Sequence, residues 1–243
     1  MNQQDTRSAA AMLWQHWQQS TRFDELPPHC RPTSRAEAYA IQAELAKLSG
    51  QSITGWKIAA TSTAGQRHIH VDGPLAGRLL SGRQLEAGAR ISLAGNHMKV
   101  AEAEFAFRMA KPLPRRAAAY GVPEALAAAA SLHPAIEVPD SRFEDFTRVG
   151  EAQLIADVAG ACWFVIGPAT SSDWRTVDLS QHGVSAWRNG VLAGQGSGAN
   201  VLGDPRIALA WIANELSMHG EGLRAGDVVM TGTCVTPVAV VAG

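Results

Sequence analysis

Cysteine is scarce in this sequence, and its scarcity excludes two architectures. The 243 residues include three cysteines, Cys30, Cys162 and Cys234, an odd number at wide spacing. A disulfide framework is built from an even set of cysteines, and a structural zinc site from cysteines spaced a few residues apart, and neither pattern is present. We therefore expect buried free thiols in a reducing compartment, which favours the cytoplasm.

The sequence also lacks an excess of positive or negative charge and any long apolar stretch. The 21 basic and 22 acidic residues give a net charge of −1, and no basic stripe is present, so nucleic acid and anionic membranes are not expected as partners. No apolar run approaches the roughly 20 residues of a membrane span, and residues 1–20 lack a signal-peptide pattern. Since 46% of the residues are hydrophobic, the sequence predicts a cytoplasmic protein with a large core.

Short strands with interspersed helices predict an α+β fold. Ser34 and Glu37 form a capping box that opens a helix ending at Gly50, and Asn189-Gly190 indicates a β-hairpin. The remaining predictions are strands over 53–60, 90–93, 228–231 and 238–241, helices over 63–70 and from Pro123 to before Pro134, a helix opened by Asp204-Pro205, and a glycine-rich loop over 194–198.

Two glutamates alternate with apolar residues between Val100 and Met109. This period of two predicts a β-strand with Glu102 and Glu104 on one face, about 6–7 Å apart. Taken alone, such a pair is more often a solvated strand face. Two carboxylates on one face repel each other unless a cation lies between them, and oxygen ligands in this number suit Mg²⁺ or Mn²⁺.

Glu137 strengthens the metal interpretation. It stands in a short apolar run between Pro134 and Pro139, where a solvated glutamate is not expected. A buried carboxylate needs a partner, and a metal shared with the first two glutamates would provide it. The sequence therefore predicts a metal centre built from Glu102, Glu104 and Glu137.

Several motifs occur in order from about residue 50 to the end of the sequence. They are Gly55-Trp56-Lys57-Ile58, Val71-Asp72-Gly73-Pro74 with Gly77, Glu102-Ala103-Glu104, Ile136-Glu137-Val138-Pro139-Asp140-Ser141-Arg142, Ala156-Asp157, Leu202-Gly203-Asp204-Pro205, Trp211, and Gly226-Asp227 before Thr231-Gly232-Thr233. Each motif alone is weak. The ordered set resembles the 2-oxopent-4-enoate hydratase and 4-oxalocrotonate decarboxylase family, within the fumarylacetoacetate hydrolase superfamily.

The resemblance implies a fold and a reaction. The implied fold is a mixed β-roll core with N-terminal and flanking helices, in which residues 1–50 form a helical segment and residues 51–243 the metal-binding catalytic domain, within one structural unit. Mg²⁺ or Mn²⁺ on the three glutamates would chelate a small 2-oxo or 2-hydroxydienoic acid. Lys57 would be the catalytic group at the substrate's 2-oxygen, where an ammonium can donate a proton. The implied hydro-lyase hydrates 2-hydroxypenta-2,4-dienoate to 4-hydroxy-2-oxopentanoate, in meta-cleavage degradation of aromatic compounds.

Four further residues are predicted to bind the substrate, namely Arg142, Asp157, Thr231 and Thr233. Arg142 would orient Glu137 or a substrate carboxylate, unless it forms a structural ion pair with Asp140 or Glu144. The two threonine hydroxyls would donate hydrogen bonds to the substrate carboxylate, unless they serve ordinary turn chemistry.

Three departures from the family pattern leave the reaction open. Leu75 stands where many hydratases carry an acidic residue, Val158 where asparagine is common, and Gln153 where aspartate is common. Leucine cannot activate water, so the departures bear on hydration and not on metal binding. A 2-oxo-hex-3-enedioate (4-oxalocrotonate) decarboxylase and an acylpyruvate hydrolase stay open as alternatives, as does a non-catalytic binding protein on the same fold.

Two other patterns suggest ligand sites that their surroundings do not favour. His68, His70 and Asp72 alternate as zinc ligands on a strand would, but the residues before them predict a helix. The glycines in 194–198 resemble a dinucleotide-binding fingerprint, but no βαβ pattern surrounds them.

An apolar stripe near the N-terminus predicts self-association. Trp14 and Trp17 follow Leu13 on one face of a predicted helix, which is a large apolar surface for a chain end. We expect the N-terminal helices to pack on the core or on a neighbouring subunit of a homo-oligomer.

Overall fold

The structure, a computed structural model, describes residues 1–242, which form a curled mixed β-sheet with helices around it. The helices are α1 (Gln3–Gln19), α2 (Arg35–Ser49), α3 (Thr63–His68), α4 (Val122–Ala127), α5 (Glu151–Ala156) and α6 (Pro205–Met218). The strands are β1 (Ile53–Ala59), β2 (Leu75–Leu80), β3 (Gln84–Leu85), β4 (Val100–Met109), β5 (Ala129–Val138), β6 (Trp163–Ile166), β7 (Gly183–Arg188), β8 (Val191–Ser197), β9 (Val228–Thr233) and β10 (Val238–Ala239). No helix in this range is long and apolar enough to cross a membrane.

The main sheet combines parallel and antiparallel pairs, as the predicted β-roll requires. Its order is β2-β1-β9-β4-β5-β6-β3, and β10 pairs with the start of β4. The β1–β9 and β3–β6 pairs are parallel, and the other pairs are antiparallel. β7 and β8 form a separate hairpin whose turn residues, Asn189 and Gly190, have φ values of 52° and 79°, as a type I′ turn needs. The predicted fold class is confirmed.

Helix ends follow the predicted capping signals. The Ser34 side chain accepts a hydrogen bond from the Glu37 amide, and α2 ends at Gly50 with φ 66°. Asp204 caps α6 in the same way by accepting from the Arg206 amide. The three cysteines are buried and free, as predicted.

The N-terminal helix packs inside the protomer. Leu13 and Trp17 of α1 are buried, and the guanidinium of Arg142 lies 4.2 Å from the Trp17 ring centroid. Trp17 is therefore buried by contacts within its own chain, and it gives no support to a subunit contact.

Three local predictions are wrong. The strand expected over 90–93 is an irregular, largely exposed connection. The alanine-rich helix ends at Ala127, and Pro134 lies within β5, because pairing with β4 along this segment overrides the helix propensity of its alanines. Residues 194–197 of the predicted glycine-rich loop belong to β8, and Gly198 begins a short 3₁₀ turn. A Cβ on Gly196 would lie 1.9 Å from the Cys234 carbonyl oxygen, so only glycine permits this close approach.

Candidate metal centre and active site

The three predicted metal ligands come together on one face of the sheet. Glu102 of β4 stands directly opposite Glu137 of β5, and Glu104 follows two residues along β4. One carboxylate oxygen from each residue lies within 4.8 Å of the others. Since residues directly opposite each other in an antiparallel pair share a face, the strand register alone brings the three carboxylates together.

The centre contains buried carboxylate oxygens without hydrogen-bond donors. Glu137 is 0% and Glu104 4% exposed, and the Oε1 atoms of both lack a partner. The Gly232 amide donates to Glu104 Oε2 at 2.8 Å. A buried oxygen left unsatisfied costs free energy, and a cation between the three groups would remove that cost. Glu102 is half-buried, which leaves the centre open to solvent on its side.

No second metal-ligating group of three forms within residues 1–242. The alternative zinc site is not assembled, because His68 ends α3 and its ring lies 5.9 Å from that of Phe146. The glutamate centre is therefore where a hard divalent cation fits this chain.

Lys57 is the cation that faces the carboxylates. Its Nζ lies 3.1 Å from Glu137 Oε2, and the side chain is 3% exposed. Burial favours the neutral amine, but the three glutamates, Glu137 foremost, outweigh burial and raise the pKa of Lys57. Three carboxylates and one ammonium leave two negative charges, which match the charge of one divalent ion.

Burial and mutual repulsion raise the carboxyl pKa values. Burial, followed by the charge of Glu137, raises the pKa of Glu102 to about 7. Burial, followed by the charges of Glu137 and Glu102, raises the pKa of Glu104 well above its usual value. The metal-free centre is thus destabilised in its ionised form.

Stabilisation by magnesium is expected to increase with pH. At pH 6 the Glu102 carboxyl, with its pKa raised to about 7, still carries a proton that the metal must displace, whereas at pH 8 it is ionised. Without metal, the same raised pKa lowers stability as pH rises from 5 to 8, because the fold disfavours the ionised form. Melting curves at one subsaturating Mg²⁺ concentration, with EDTA as reference, should show a larger rise in Tm at pH 8 than at pH 6. An equal rise at both values would contradict the raised pKa.

A turn with left-handed backbone conformation holds the Lys57 ammonium from the other side. Lys57 Nζ donates to the Ala159 carbonyl at 3.0 Å. Val158, Ala159 and Gly160 have φ values of 47°, 52° and 74°. A left-handed conformation costs about 1–2 kcal/mol for an ordinary residue, and for Val158 the burial of its side chain offsets that cost. Asparagine tolerates this conformation well. The departure at position 158 therefore places valine in a turn whose backbone suits asparagine better.

Arg142 and Asp157 form a buried ion pair with each other. Arg142 Nε donates to Asp157 Oδ1, and both side chains are 1% exposed. The Arg142 Nη1 group donates to the carbonyls of Asp140 and Ala161 at 3.0 and 3.2 Å, and Nη2 donates to the Asp157 carbonyl. The nitrogens of Arg142 are thus already bonded to protein oxygens, and a direct contact of either residue with substrate stays a prediction.

The two predicted threonines also donate to backbone oxygens. The Thr231 hydroxyl donates to the Phe105 carbonyl at 2.9 Å, and the Thr233 hydroxyl to the Val235 carbonyl at 2.6 Å. Their contact with a substrate carboxylate stays a prediction. The Gly232 amide between them bonds Glu104, a role that sequence reasoning missed because a backbone amide has no residue signature.

Leu75 and Gln153 have structural surroundings. Leu75 is 1% exposed in the core. The Gln153 amide accepts from the Leu26 backbone N–H at 2.8 Å and donates to the Val149 carbonyl at 2.7 Å. Neither position supplies an acid or base for catalysis.

A cavity of about 660 Å³ is lined by residues from both faces of β4 and β5. Ala103 pairs with Ile136, and Phe105 with Pro134, and successive strand side chains alternate in face. These side chains therefore lie on the face opposite the glutamates, although Glu102 and Glu104 also line the cavity. The β7–β8 hairpin and residues 170–182 complete its lining, so the cavity borders the metal centre.

Comparison with known proteins establishes the family. Residues 81–243 match the family described as fumarylacetoacetate (FAA) hydrolase C-terminal. This is more than half of the chain, and the chain belongs to that family. The resemblance noted from the motifs is confirmed.

Named relatives include hydratases and decarboxylases. The chain is 35% identical over 206 residues to a 2-keto-4-pentenoate hydratase of Burkholderia vietnamiensis (strain G4 / LMG 22486), covering 84% of this chain and 77% of the relative. It is 33% identical over 210 residues to a 4-oxalocrotonate decarboxylase of Pseudomonas sp. (strain CF600), covering 84% and 78%. The structure of 4-oxalocrotonate decarboxylase from Pseudomonas putida G7, complexed with magnesium and adipate, matches with a TM-score of 0.90 at 27% identity, covering 100% of this chain and 92% of that one. A second structure of that enzyme holds calcium and acetate.

Proposed function

We propose that this chain is a divalent-metal-dependent hydro-lyase that converts 2-hydroxypenta-2,4-dienoate and water to 4-hydroxy-2-oxopentanoate. The observation that carries the proposal is the buried centre in which three carboxylates face one ammonium group. Relatives named 2-keto-4-pentenoate hydratase and 2-hydroxyhexa-2,4-dienoate hydratase, at 35% and 34% identity, support the reaction class.

The centre suits the chemistry of a small 2-oxo acid. A bound divalent ion would act as a Lewis acid on the C1 carboxylate and the 2-oxygen of the substrate. The dienoate first tautomerises to 2-oxopent-3-enoate by loss of the 2-hydroxyl proton and protonation at C5. When water then adds at C4, negative charge develops on the 2-oxygen. The Lys57 ammonium can stabilise that charge and donate a proton to it, because its neighbours keep it charged.

The charges at the centre favour a substrate with a single carboxylate. Within residues 1–242, Lys57 is the one cation that forms an ion pair with any of the three glutamates. The nearby Arg142 is neutralised by Asp157. A dicarboxylate would need a further cation for its far end, whereas a monocarboxylate needs only the metal and Lys57.

Decarboxylation of 2-oxo-hex-3-enedioate is the second candidate. The TM-score of 0.90 with a 4-oxalocrotonate decarboxylase favours it, and so does buried Leu75, which cannot serve as acid or base. Decarboxylation needs an electron sink and no added water.

Side-by-side turnover separates the two reactions. With Mg²⁺ present, we expect loss of the absorbance of 2-hydroxypenta-2,4-dienoate and no CO₂ from either substrate. Release of CO₂ from 2-oxo-hex-3-enedioate, with no turnover of the dienoate, would identify a decarboxylase instead. Failure to turn over either compound would favour a binding protein on the same fold.

Four finer points belong to the same proposal. Mn²⁺ is expected to replace Mg²⁺, since both are hard ions that accept carboxylate oxygens. The free buried thiols support a cytoplasmic location. The substrate chemistry fits degradation of aromatic compounds by meta-cleavage.

We expect a homo-oligomer, and light scattering that shows a monomer at micromolar concentration would contradict this.

A further inference from the structure

We propose that the left-handed turn over residues 158–160 positions the Lys57 ammonium for reaction, with Arg142 and Asp157 as its anchors. The inference rests on the proposed function, because it concerns the lysine that acts on the substrate's 2-oxygen. It assigns these residues a positioning role in place of substrate contact.

The turn and the metal centre together fix the direction of the ammonium group. A lysine ammonium has three N–H donors. One donates to the Ala159 carbonyl at 3.0 Å, and Glu137 Oε2, which accepts no hydrogen bond, lies 3.1 Å from Nζ as an ion-pair partner. The ammonium thus keeps donors that can reach a substrate oxygen. Without the carbonyl, the flexible lysine chain would have only Glu137 to orient it.

Hydrogen bonds hold the turn in its conformation. The Gly160 amide donates to the Asp157 carbonyl at 3.0 Å, and the Ala161 amide donates to the Val158 carbonyl at 3.0 Å. The Asp157 carboxylate accepts from the Arg142 backbone amide at 3.0 Å and from the Arg142 side chain. The turn is therefore anchored to the chain that leaves β5 just after Glu137.

Gly77 allows the turn to lie against the sheet beside the lysine. In the β1–β2 pair, Gly77 stands directly opposite Lys57. A Cβ at this position would lie 1.9 Å from the Val158 carbonyl oxygen. Any side chain at residue 77 must therefore push the turn away from Lys57.

The test is Gly77→Ala, made alone and together with Lys57→Met. Displacement of a catalytic group by about 1 Å can cost roughly 10²-fold in rate, so we expect kcat to fall at least tenfold in Gly77→Ala while the Mg²⁺-induced rise in Tm is kept. In the Lys57→Met background the same change should cause no further loss of kcat. Oxalate affinity of the Mg²⁺-loaded protein, measured by calorimetry, should follow the same pattern without requiring turnover. Gly121→Ala, at φ −83° where an added Cβ meets only the Pro123 ring at 3.7 Å, is the matched control and should change nothing.

The outcomes distinguish this inference from the proposed function. Absence of dienoate turnover in the wild type would overturn the function, while the oxalate measurements would still test the positioning role. Equal losses in both backgrounds, or unchanged kcat and oxalate binding in Gly77→Ala, would overturn the positioning role. If Gly77→Ala does not fold, Gly160→Ala serves instead, because its Cβ meets only ordinary contact, with the Asp140 carbonyl oxygen 3.7 Å away, and it acts through the positive φ.

Discussion

Glu104→Gln is expected to abolish stabilisation by magnesium and to lower metal-dependent turnover by at least about 10³-fold, since loss of Lewis-acid catalysis costs several kcal/mol. Glu104 shares the centre with Glu102 and Glu137, and an amide at this position removes one charge and one ligand oxygen. Thermal melts with Mg²⁺ and with EDTA should then coincide, where the wild type shows a clear difference.

The same substitution should stabilise the metal-free protein. Burial raises the pKa of Glu104 well above its usual value, so a neutral amide relieves the cost of the buried carboxyl. Glu124→Gln is the control, because this glutamate is exposed and pairs only with Arg116 at the surface, and it should leave the Mg²⁺ response intact. A normal Mg²⁺ response in Glu104→Gln would show that the metal binds elsewhere.

Lys57→Met is expected to lower turnover by at least about 10²-fold, the effect of one positioned proton donor. The structure adds a second effect on the metal. Because the Lys57 ammonium lies 3.1 Å from Glu137 Oε2, its removal leaves the centre more negative, and Mg²⁺ should bind more tightly. Without metal, Glu137 becomes an unpaired buried charge, which costs about 3–5 kcal/mol of stability.

Kinetics and melting curves together check this prediction. The variant should show a lower Tm than the wild type in EDTA, a larger rise in Tm with Mg²⁺, and a reduced kcat. Lys47→Met is the matched control, since Lys47 is exposed and pairs with Glu44 on the surface of α2. A Lys57→Met enzyme with normal kcat would show that the lysine is structural.

Local patterns predicted much of the fold because the signals are local. The capping residues Ser34 and Asp204 and the Asn189-Gly190 turn act within a few residues, and each has its predicted effect. The predictions that failed depend on distant partners. Residues 129–138 form a strand because β4 pairs along them, and Gly196 lies in a strand because it pairs with Val184 of β7.

In the candidate site, too, local patterns were predicted from the sequence and features that depend on distant partners were not. Alternation along β4 predicted that Glu102 and Glu104 share a face, but the register that sets Glu137 opposite Glu102 is a tertiary property. The groups that hold the site in place are largely backbone atoms, such as the Gly232 amide and the Ala159 carbonyl. Such groups leave no side-chain pattern, so no sequence signal reveals them.

A crystal of the protein soaked with Mn²⁺ and oxalate tests the central claim most directly. Anomalous density should show one ion bound by an oxygen from each of Glu102, Glu104 and Glu137, at about 2.0–2.6 Å as for other hard cations. Oxalate should complete the coordination with one oxygen facing Lys57. Density elsewhere, or none between the three glutamates at saturating Mn²⁺, would contradict the account.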